Sequence, residues 1–375
     1  AINFEVNFYN DTGSKPEEII DSYINRQNDL KSAGIDFALV TDGKCWITAS
    51  NQLSKGFRHL NFLLNFYMLK HGMLEEIVNY VLKMIESYFK SSNQDFTLLQ
   101  GNCCKLLRDF DFQFDCIFAD PPYFLSNGGI SVQSGKVVNV NKGKWDKGKT
   151  PQEMTEFNME WLNLCREKLK DNGSIWISGT YHNIFSIANC LTELGYKILN
   201  VVTWAKTNPP PNISCRYFTY STEFIIWARK KEKKPHYFNY DLMKYLNGNK
   251  QMTDVWRLSA IAPWEKKCGK HPTQKPLALL SRIIMASTKP GEWVLDPFCG
   301  SSTTGIAANL LRRRFLGIDQ EKDYLEISKH RREELDNSHI VYEYRSKIKD
   351  IKLMNSQCPY AVSYTHLTLP TNREV

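Results

Sequence analysis

Three features are missing from this sequence of 375 residues, and each absence excludes a class of protein. No apolar run is long enough to cross a bilayer, and no charged segment followed by an apolar one opens the chain, so neither a membrane span nor a secretory signal is predicted. The ten cysteines include no Cys-x-x-Cys pair, which argues against a zinc site and a disulfide framework. We therefore expect a cytoplasmic protein with no bound metal.

Positive charge is concentrated in one stretch. Residues 206–275 contain 14 Lys or Arg and 5 Asp or Glu, a net charge of +9, whereas the whole chain carries +8. Aromatic residues are interleaved with these charges, among them Tyr217, Phe218 and Tyr220. This combination favours a surface that faces phosphates, and a merely solvated basic face is the alternative.

The order of the predicted elements indicates the fold class. Strands are predicted at 96–99, 114–119, 174–178, 198–204, 292–295 and 315–318. Helices are predicted between them at 157–169, 184–194, 276–286 and 303–311, and Asn172-Gly173 is predicted as a turn. Alternation of this kind predicts an α/β, doubly wound sheet with ligands at the carboxyl ends of its strands.

The chain divides into three parts. Residues 1–93 form a separate piece, with a strand at 35–40, a largely helical pattern over 53–89 broken at His71-Gly72, and a polar linker at 90–94. Residues 94–350 form the main domain, and 351–375 form a tail. Because residue 1 is Ala, we expect the natural start to be missing. The segment from Ser363 resembles a translated adapter sequence and takes no part in the fold prediction.

One predicted strand ends in residues that would pack poorly in a hydrophobic core. The apolar run 116–119 is followed by Asp120-Pro121-Pro122-Tyr123. Proline cannot donate a ladder hydrogen bond and holds the preceding residue extended, so the strand ends in a stiff exit. The Asp120 carboxylate and the Pro121 carbonyl can then face a ligand beside the Tyr123 ring. Two acceptors and a flat ring suit an amino group on a planar base, although a simple turn with an exposed Tyr is the alternative.

A second loop, DPFCGSSTTG from Asp296 to Gly305, follows a strand and opens a helix. Its small residues allow a ligand to approach the backbone, and the helix amino end favours an anionic group. Asp319 ends another strand 23 residues after Asp296, a spacing that suits ribose hydroxyls. Taken alone, the loop is equally compatible with an ordinary strand-to-helix turn.

These motifs together resemble a known family. From about Phe96 to Asp336 the chain is similar to DNA amino-methyltransferases that use S-adenosylmethionine. The order is the circularly permuted one of the beta class: Asp120 to Tyr123, then His271-Pro272-Thr273-Gln274-Lys275-Pro276, then the Asp296 loop, then Asp319. The resemblance implies a Rossmann-like, mostly parallel methyltransferase sheet. The chain departs from the family pattern at Ser302, where Gly is usual, and at Asn102, where an acid is commoner.

The resemblance also implies site residues. The catalytic ones are Asp120, Pro121, Pro122 and Tyr123, with Tyr123 expected to stack on a flipped base. Those expected to bind S-adenosylmethionine are Asp296, Phe298, Gly300, Ser301, Thr303, Thr304, Asp319, Thr273 and Lys275, although Lys275 could equally be a solvated lysine at a helix start. Residues 206–270 would recognise the target, and the DNA-binding residues would be Lys206, Arg216, Lys230 and Lys231. The polar loop 126–149 is a second candidate clamp on DNA, or a mobile surface loop.

The substrate and partners are expectations of the same kind. The stretches Lys206 to Pro209 and Arg216 to Phe218 look most like adenine methyltransferases of GATC and GANTC restriction–modification systems, so adenine N6 in GATC is predicted. Cytosine N4 is the alternative, although such enzymes more often carry Ser at the Asp120 position. The partners would be DNA, a cognate restriction endonuclease and a second copy of the chain.

The first 93 residues weakly resemble the carboxyl end of a GATC-cutting restriction endonuclease, around Leu39 to Trp46. A restriction–modification fusion is therefore another alternative. Asp42-x-Lys44 fits half of a nuclease metal motif, but Asp-Gly is a turn dipeptide and no Pro-Asp lies upstream. We therefore expect a turn and no DNA cleavage.

Overall fold

A computed structural model describes residues 2–9, 16–32, 35–73, 87–109, 112–123, 130–133, 136–139, 150–212, 215–230, 234–269 and 271–355. The chain forms two compact units, Ala1–Glu86 and Ser87–Val375. Most of the polar loop 126–149 and all of the tail from residue 356 lie outside the described residues. Among the helices that are described, none is both long and apolar enough to cross a membrane.

The first unit is a small α/β structure. Its strands are β1 (Ile2–Phe8), β2 (Asp36–Asp42) and β3 (Phe62–Leu64), which form a parallel sheet in the order β1-β2-β3. Its helices are α1 (Pro16–Ser32), α2 (Cys45–Thr48), α3 (Ser50–His59) and α4 (Phe66–Lys70). The strand predicted at 35–40 is confirmed as β2. The helical pattern predicted over 53–89 is observed in part, as α3 and α4. It is interrupted by β3, whose Leu63 and Leu64 are buried, and it is wrong at 87–89, which form a strand. Residues 74–86 of that prediction lie outside the described residues.

Asp42 ends β2 in a turn. Its carboxylate accepts hydrogen bonds from the Gly43 N–H at 2.8 Å and the Phe66 N–H at 3.1 Å. Gly43 has φ of 125°, a conformation that favours glycine. The turn interpretation of Asp42-Gly43 is therefore confirmed.

The second unit is built around a large sheet. Its strands are β4 (Ser87–Lys90), β5 (Phe96–Gln100), β6 (Phe114–Ala119), β7 (Ile130–Gln133), β8 (Lys136–Asn139), β9 (Leu169–Gly179), β10 (Tyr196–Lys206), β11 (Thr222–Lys230), β12 (Val255–Leu258), β13 (Trp293–Asp296) and β14 (Arg314–Asp319). Its helices are α5 (Cys103–Arg108), α6 (Pro151–Lys168), α7 (Ile184–Glu193), α8 (Tyr240–Leu246), α9 (Leu277–Ser287), α10 (Thr303–Leu310), α11 (Lys322–Glu334), α12 (Ser338–Lys347) and α13 (Lys349–Asn355). A 3₁₀ helix spans Pro263–Lys266.

The sheet runs in the order β12-β10-β11-β9-β6-β13-β14-β5-β4, and β7 and β8 form a separate hairpin. Only β11 and β4 run against the other strands of this order. The carboxyl ends of the remaining strands therefore meet at one edge, which we call the carboxyl edge. The predicted doubly wound, mostly parallel sheet is confirmed. Each predicted strand and helix of this unit overlaps an observed one, and where a predicted end lies outside the observed element it does so by a single residue.

Two further local predictions were wrong. Residues 90–94, predicted as an interdomain linker, belong to the second unit: Lys90 ends β4, and the segment after it turns back into the antiparallel partner β5. The turn predicted at Asn172-Gly173 lies inside β9. A Cβ on Gly173 would lie 2.8 Å from the Asp115 carbonyl oxygen, so glycine allows close strand packing there.

Several elements of the second unit were not predicted at all. They are β4, β7, β8, β11, β12, α5, α8, the 3₁₀ helix and the helices after β14. The segment between β10 and α9 is dominated by charge and by isolated aromatic residues, which masked the strand pattern of β11. In the fold its Trp227 stacks on Trp176 of β9 with ring centroids 4.7 Å apart.

A truncation tests the boundary between the units. A chain that starts at Ser87 should fold cooperatively, whereas one that starts at Gln94 loses β4 and the Tyr88 hydroxyl bond to Glu326. We expect the shorter chain to be less stable by about 2–3 kcal/mol, because Tyr88 and Phe89 pack against the core. Urea unfolding of the two chains measures the difference, and equal midpoints would contradict the assignment of β4 to this unit.

Candidate active site

Three carboxylates converge at the carboxyl edge. Asp120 directly follows β6, Asp296 ends β13 and Asp319 ends β14, and these three strands are neighbours in the sheet. A cavity with about 770 Å³ of empty space, part of it open to solvent, is lined by all three. The sequence motifs are therefore brought together as the permuted order requires.

Asp120 is already engaged by two side chains. Its Oδ1 accepts a hydrogen bond from the Tyr123 hydroxyl at 2.7 Å, and its Oδ2 accepts one from Lys275 Nζ at 2.5 Å. Lys275 Nζ also lies 3.2 Å from the Tyr123 hydroxyl oxygen. Pro122 lines the cavity, and Pro121 is buried. The stiff exit thus positions Asp120 at the cavity wall.

Tyr123 is not an exposed ring in this structure. It is buried, and burial together with the Asp120 charge raises the pKa of its hydroxyl well above the usual value. The neutral hydroxyl therefore acts as a hydrogen-bond donor to Asp120. A stacking role towards a flipped base, which the sequence suggested, would require this ring to move.

Lys275 is buried and charged. Burial by itself would lower the pKa of the ammonium, but the attraction of Asp120, Tyr123 and Glu223 outweighs it and raises the pKa well above the usual value. The interpretation as a solvated lysine is therefore wrong. Lys275 lines the cavity, as expected for a cofactor residue, but its closest partner is Asp120.

The Asp296 loop is held by hydrogen bonds from its backbone and from one hydroxyl to two carboxylates. Asp296 accepts from the Phe298 N–H at 3.1 Å and from the Thr304 hydroxyl at 2.6 Å, and Asp319 accepts from the Gly300 N–H at 2.8 Å. Gly300 has φ of 49°, and a Cβ there would lie 2.9 Å from His271 Nε2. Glycine is therefore required by both conformation and space.

The backbone conformation of Ser302 accounts for the glycine that the family usually has at this position. It has φ of 53° and ψ of 40°, in the left-handed region where glycine is favoured. The neighbouring loop positions are held by Arg331 of α11, whose Nη1 donates to the Ser301 carbonyl at 2.6 Å and the Thr303 hydroxyl at 3.0 Å. Arg331 was not predicted, because its sequence surroundings are those of an ordinary charged helix.

A family model described as DNA methylase matches residues 114–330, which is more than half of the chain. The chain belongs to the DNA methylase family. The family and the enzyme class expected from the sequence, an S-adenosylmethionine-dependent DNA methyltransferase, are thus confirmed. A second model, described as DpnII restriction endonuclease, matches residues 1–76, so the first unit is similar to that family.

Individual relatives agree with this assignment. The chain is 56% identical over 266 residues to the Type II methyltransferase M2.MboI of Moraxella bovis, covering 71% of this chain and 97% of that protein. It is 61% identical over 220 residues to the Type II methyltransferase M2.DpnII of Streptococcus pneumoniae, covering 58% and 82%. Among solved structures, the cytosine-N4-specific PvuII DNA methyltransferase shares the fold, with a TM-score of 0.51, 18% identity and coverage of 64% and 86%.

The cavity of this DNA methylase suits its cofactor. All the residues that the sequence assigned to the cofactor line it: Thr273, Lys275, Asp296, Phe298, Gly300, Ser301, Thr303, Thr304 and Asp319. S-adenosylmethionine carries a sulfonium, an ammonium and ribose hydroxyls, which carboxylates can hold. Burial raises the pKa of Asp296 to about 7 and also raises that of Asp319, so a cationic ligand would relieve an electrostatic cost already present.

Other cavity residues of the DNA methylase were not predicted as site residues. They are Gly101, Cys103, Phe118, His271, Gln274, Leu280, Pro297, Cys299, Gln320, Glu321 and Tyr324. His271 and Gln274 belong to the motif that carried the resemblance, so a signal for them was available. Glu223, which lies 3.6 Å from Lys275, could not be found because β11 was not predicted.

The residues predicted to bind DNA are divided between the two edges of the sheet. Lys206 ends β10, and exposed Arg216 lies between β10 and β11, both at the carboxyl edge. Because β11 is antiparallel, Lys230 at its end lies at the opposite edge, buried and 3.7 Å from Asp171. This position argues against contact between Lys230 and DNA bound at the active site. Lys231 lies outside the described residues.

The raised pKa of Asp296 predicts a pH dependence of cofactor binding. Positive charge on S-adenosylmethionine favours the ionised carboxylate, so affinity should fall as pH drops from about 7 to 5.5, by at most about tenfold per pH unit. Asp296→Asn should flatten the slope, and S-adenosylhomocysteine, which lacks the sulfonium charge, should show a shallower one. Calorimetric titration measures all three, and an equal slope for wild type and variant would contradict the prediction.

Proposed function

We propose that the protein transfers the methyl group of S-adenosylmethionine to N6 of adenine in DNA, at the site GATC. The observation that carries the proposal is the Asp120 carboxylate at the cavity wall, 2.5 Å from a buried ammonium and adjacent to the cofactor loop. A carboxylate acceptor at this position suits an amino group. Asp in place of Ser at this position favours adenine over cytosine.

The chain's own residues act mainly by positioning. The bound cofactor supplies a methyl group that its sulfonium already activates. Asp120 and the Pro121 carbonyl accept hydrogen bonds from N6, which draws the nitrogen towards tetrahedral geometry and directs its lone pair at the methyl carbon. Orientation of this kind supplies a large part of a rate acceleration. The base has to leave the duplex to reach the cavity.

Exposed aromatic residues at the carboxyl edge support a DNA interface there. Tyr181, just after β9, stacks on Tyr220 with ring centroids 5.2 Å apart, and Tyr217 lies 5.5 Å from Tyr220. Phe218 is 96% exposed. Rings at this position can stack on unpaired bases, a role that buried Tyr123 does not offer in this structure.

The choice of GATC and of partners rests on similarity. The stretches Lys206 to Pro209 and Arg216 to Phe218 support it, as does the attached unit that is similar to the DpnII restriction endonuclease family. A cognate endonuclease and a second copy of the chain are the expected partners. Because the substrate is the cell's own DNA, we expect the protein in the cytoplasm.

The modified base and site can be measured directly. DNA from a methylation-free host that expresses the protein should contain N6-methyladenine by nucleoside mass spectrometry, and it should resist nucleases that need unmethylated GATC. Asp120→Ala should abolish both signals because N6 loses its acceptor. N4-methylcytosine would overturn the base assignment, whereas N6-methyladenine without protection at GATC would overturn only the site.

The division of the basic residues predicts which of them contact DNA. Arg216→Ala should weaken DNA binding and reduce the slope of log affinity against log salt by about 1. Lys234→Ala is the matched control, because Lys234 is exposed near Asp171 at the opposite edge. Fluorescence anisotropy at several salt concentrations measures both. Equal effects of the two substitutions would contradict a DNA interface confined to the carboxyl edge.

A further inference from the structure

Four charged side chains lie in a row that begins at Asp120 and leads away from the active site. Lys275 Nζ lies 2.5 Å from Asp120 Oδ2 and 3.6 Å from Glu223 Oε2, and Glu223 Oε1 lies 2.5 Å from Lys206 Nζ. The charges alternate and sum to zero. None of these side chains is more than 18% exposed, so the pairs are poorly screened by water.

Two hydrogen-bond donors, Lys275 and the N6 amino group, compete for the Asp120 carboxylate. If it accepts a hydrogen bond from N6, as the proposed function requires, it has to share its oxygens with Lys275. A buried ammonium that loses its acceptor carries a large desolvation cost, so Lys275 cannot simply release Asp120. A lysine bound to Asp120 alone would hold that carboxylate tightly and make it a weaker acceptor for a neutral amine.

Glu223 resolves this competition. Its Oε2 lies 3.6 Å from Lys275 Nζ, slightly beyond hydrogen-bond distance and on the same buried ammonium. A small movement of the lysine would replace the Asp120 contact with one to Glu223. Lys206, bound to the other carboxylate oxygen, holds Glu223 in place from β10.

We propose that Glu223 is a positioning residue for methyl transfer, which acts by sharing Lys275 with Asp120 so that Asp120 can still accept a hydrogen bond from N6. Lys275 supplies the positive charge that balances Asp120, and Glu223 limits how strongly that charge is committed to Asp120. This inference rests on the proposed function, because it concerns the same carboxylate and the same amino group.

The test is the single-turnover rate of methyl transfer at saturating cofactor and DNA, measured against pH. Glu223→Gln keeps the shape of the side chain and removes its charge. We expect the rate to fall about tenfold, the worth of one charge-assisted hydrogen bond, with little change in the affinity for DNA or cofactor. The acid limb of the profile of rate against pH should move to lower pH, because the charge of Lys275 is then committed to Asp120 without competition from Glu223.

Removing the charge of Lys275 should shift the acid limb in the opposite direction. Lys275→Met should move the acid limb to higher pH by about one unit or more, because Asp120 loses its counter-charge. Lys275→Arg keeps the charge and should restore the limb towards its original position. Glu193→Gln is the control: Glu193 is exposed at the end of α7, and its substitution should leave the profile unchanged.

Opposite pH shifts in Glu223→Gln and Lys275→Met distinguish this role from a structural one. A purely structural role would lower the rate of both variants without shifting their acid limbs in opposite directions. Cofactor binding by each variant verifies folding. An unchanged rate and limb in Glu223→Gln, or shifts of both variants in one direction, would overturn the proposal. If the methylated base proved to be cytosine, the proposed function would fail, while the opposite shifts could still be observed on that base.

Discussion

The pairing of β6 with β13 is the constraint on which the active site depends. Cys116 pairs with Val294 and Ile117 with Leu295, in parallel, at the centre of the large sheet. Parallel strands in register end at the same edge, so Asp120 and the Asp296 loop become neighbours although 176 residues of sequence separate Asp120 from Asp296. The next strand, β14, adds Asp319 by the same rule. Both faces of β6 are buried, so a slip of one residue would exchange its side chains between two packed faces and displace Asp120 from the edge. The core and the site therefore enforce a single register.

The electrostatics of the site follow from the meeting of three strand ends that each carry a carboxylate. Three carboxylates border one partly buried cavity, and burial raises the pKa of two of them, Asp296 and Asp319. Lys275 provides a buried positive charge at one wall, where it pairs with Asp120. The remaining negative potential is matched to a cofactor that carries positive charge. Binding of the cofactor and organisation of the site are thus two aspects of the same charge balance.

Local pattern was a reliable guide wherever one strand or one loop carried the signal. The strand 114–119 was predicted with its observed bounds, since a buried apolar run ends at two prolines. The basic segment was harder to interpret. Net charge says nothing of strand direction, and β11 crosses the sheet inside that segment, so Arg216 lies at one edge and Lys230 at the other. The linker at 90–94 failed for a similar reason, because polar residues in a tight turn between strands resemble those of a flexible connection.

Motifs whose chemistry is local could be recognised from residue order alone: the Asp-Pro-Pro-Tyr exit, the loop with its small residues at Gly300, and the acid that ends β14. Their meeting in one cavity followed from the alternation of strands and helices. The partners of each side chain did not follow, because they come from strands and helices far away in the sequence. Tyr123 turns to Asp120 instead of solvent, Lys275 binds Asp120 instead of standing free, and Glu223 reaches both lysines from a strand that was not predicted. Such contacts are decided by packing and by the cost of burying charge, which depend on the assembled structure and leave no periodic trace in the chain.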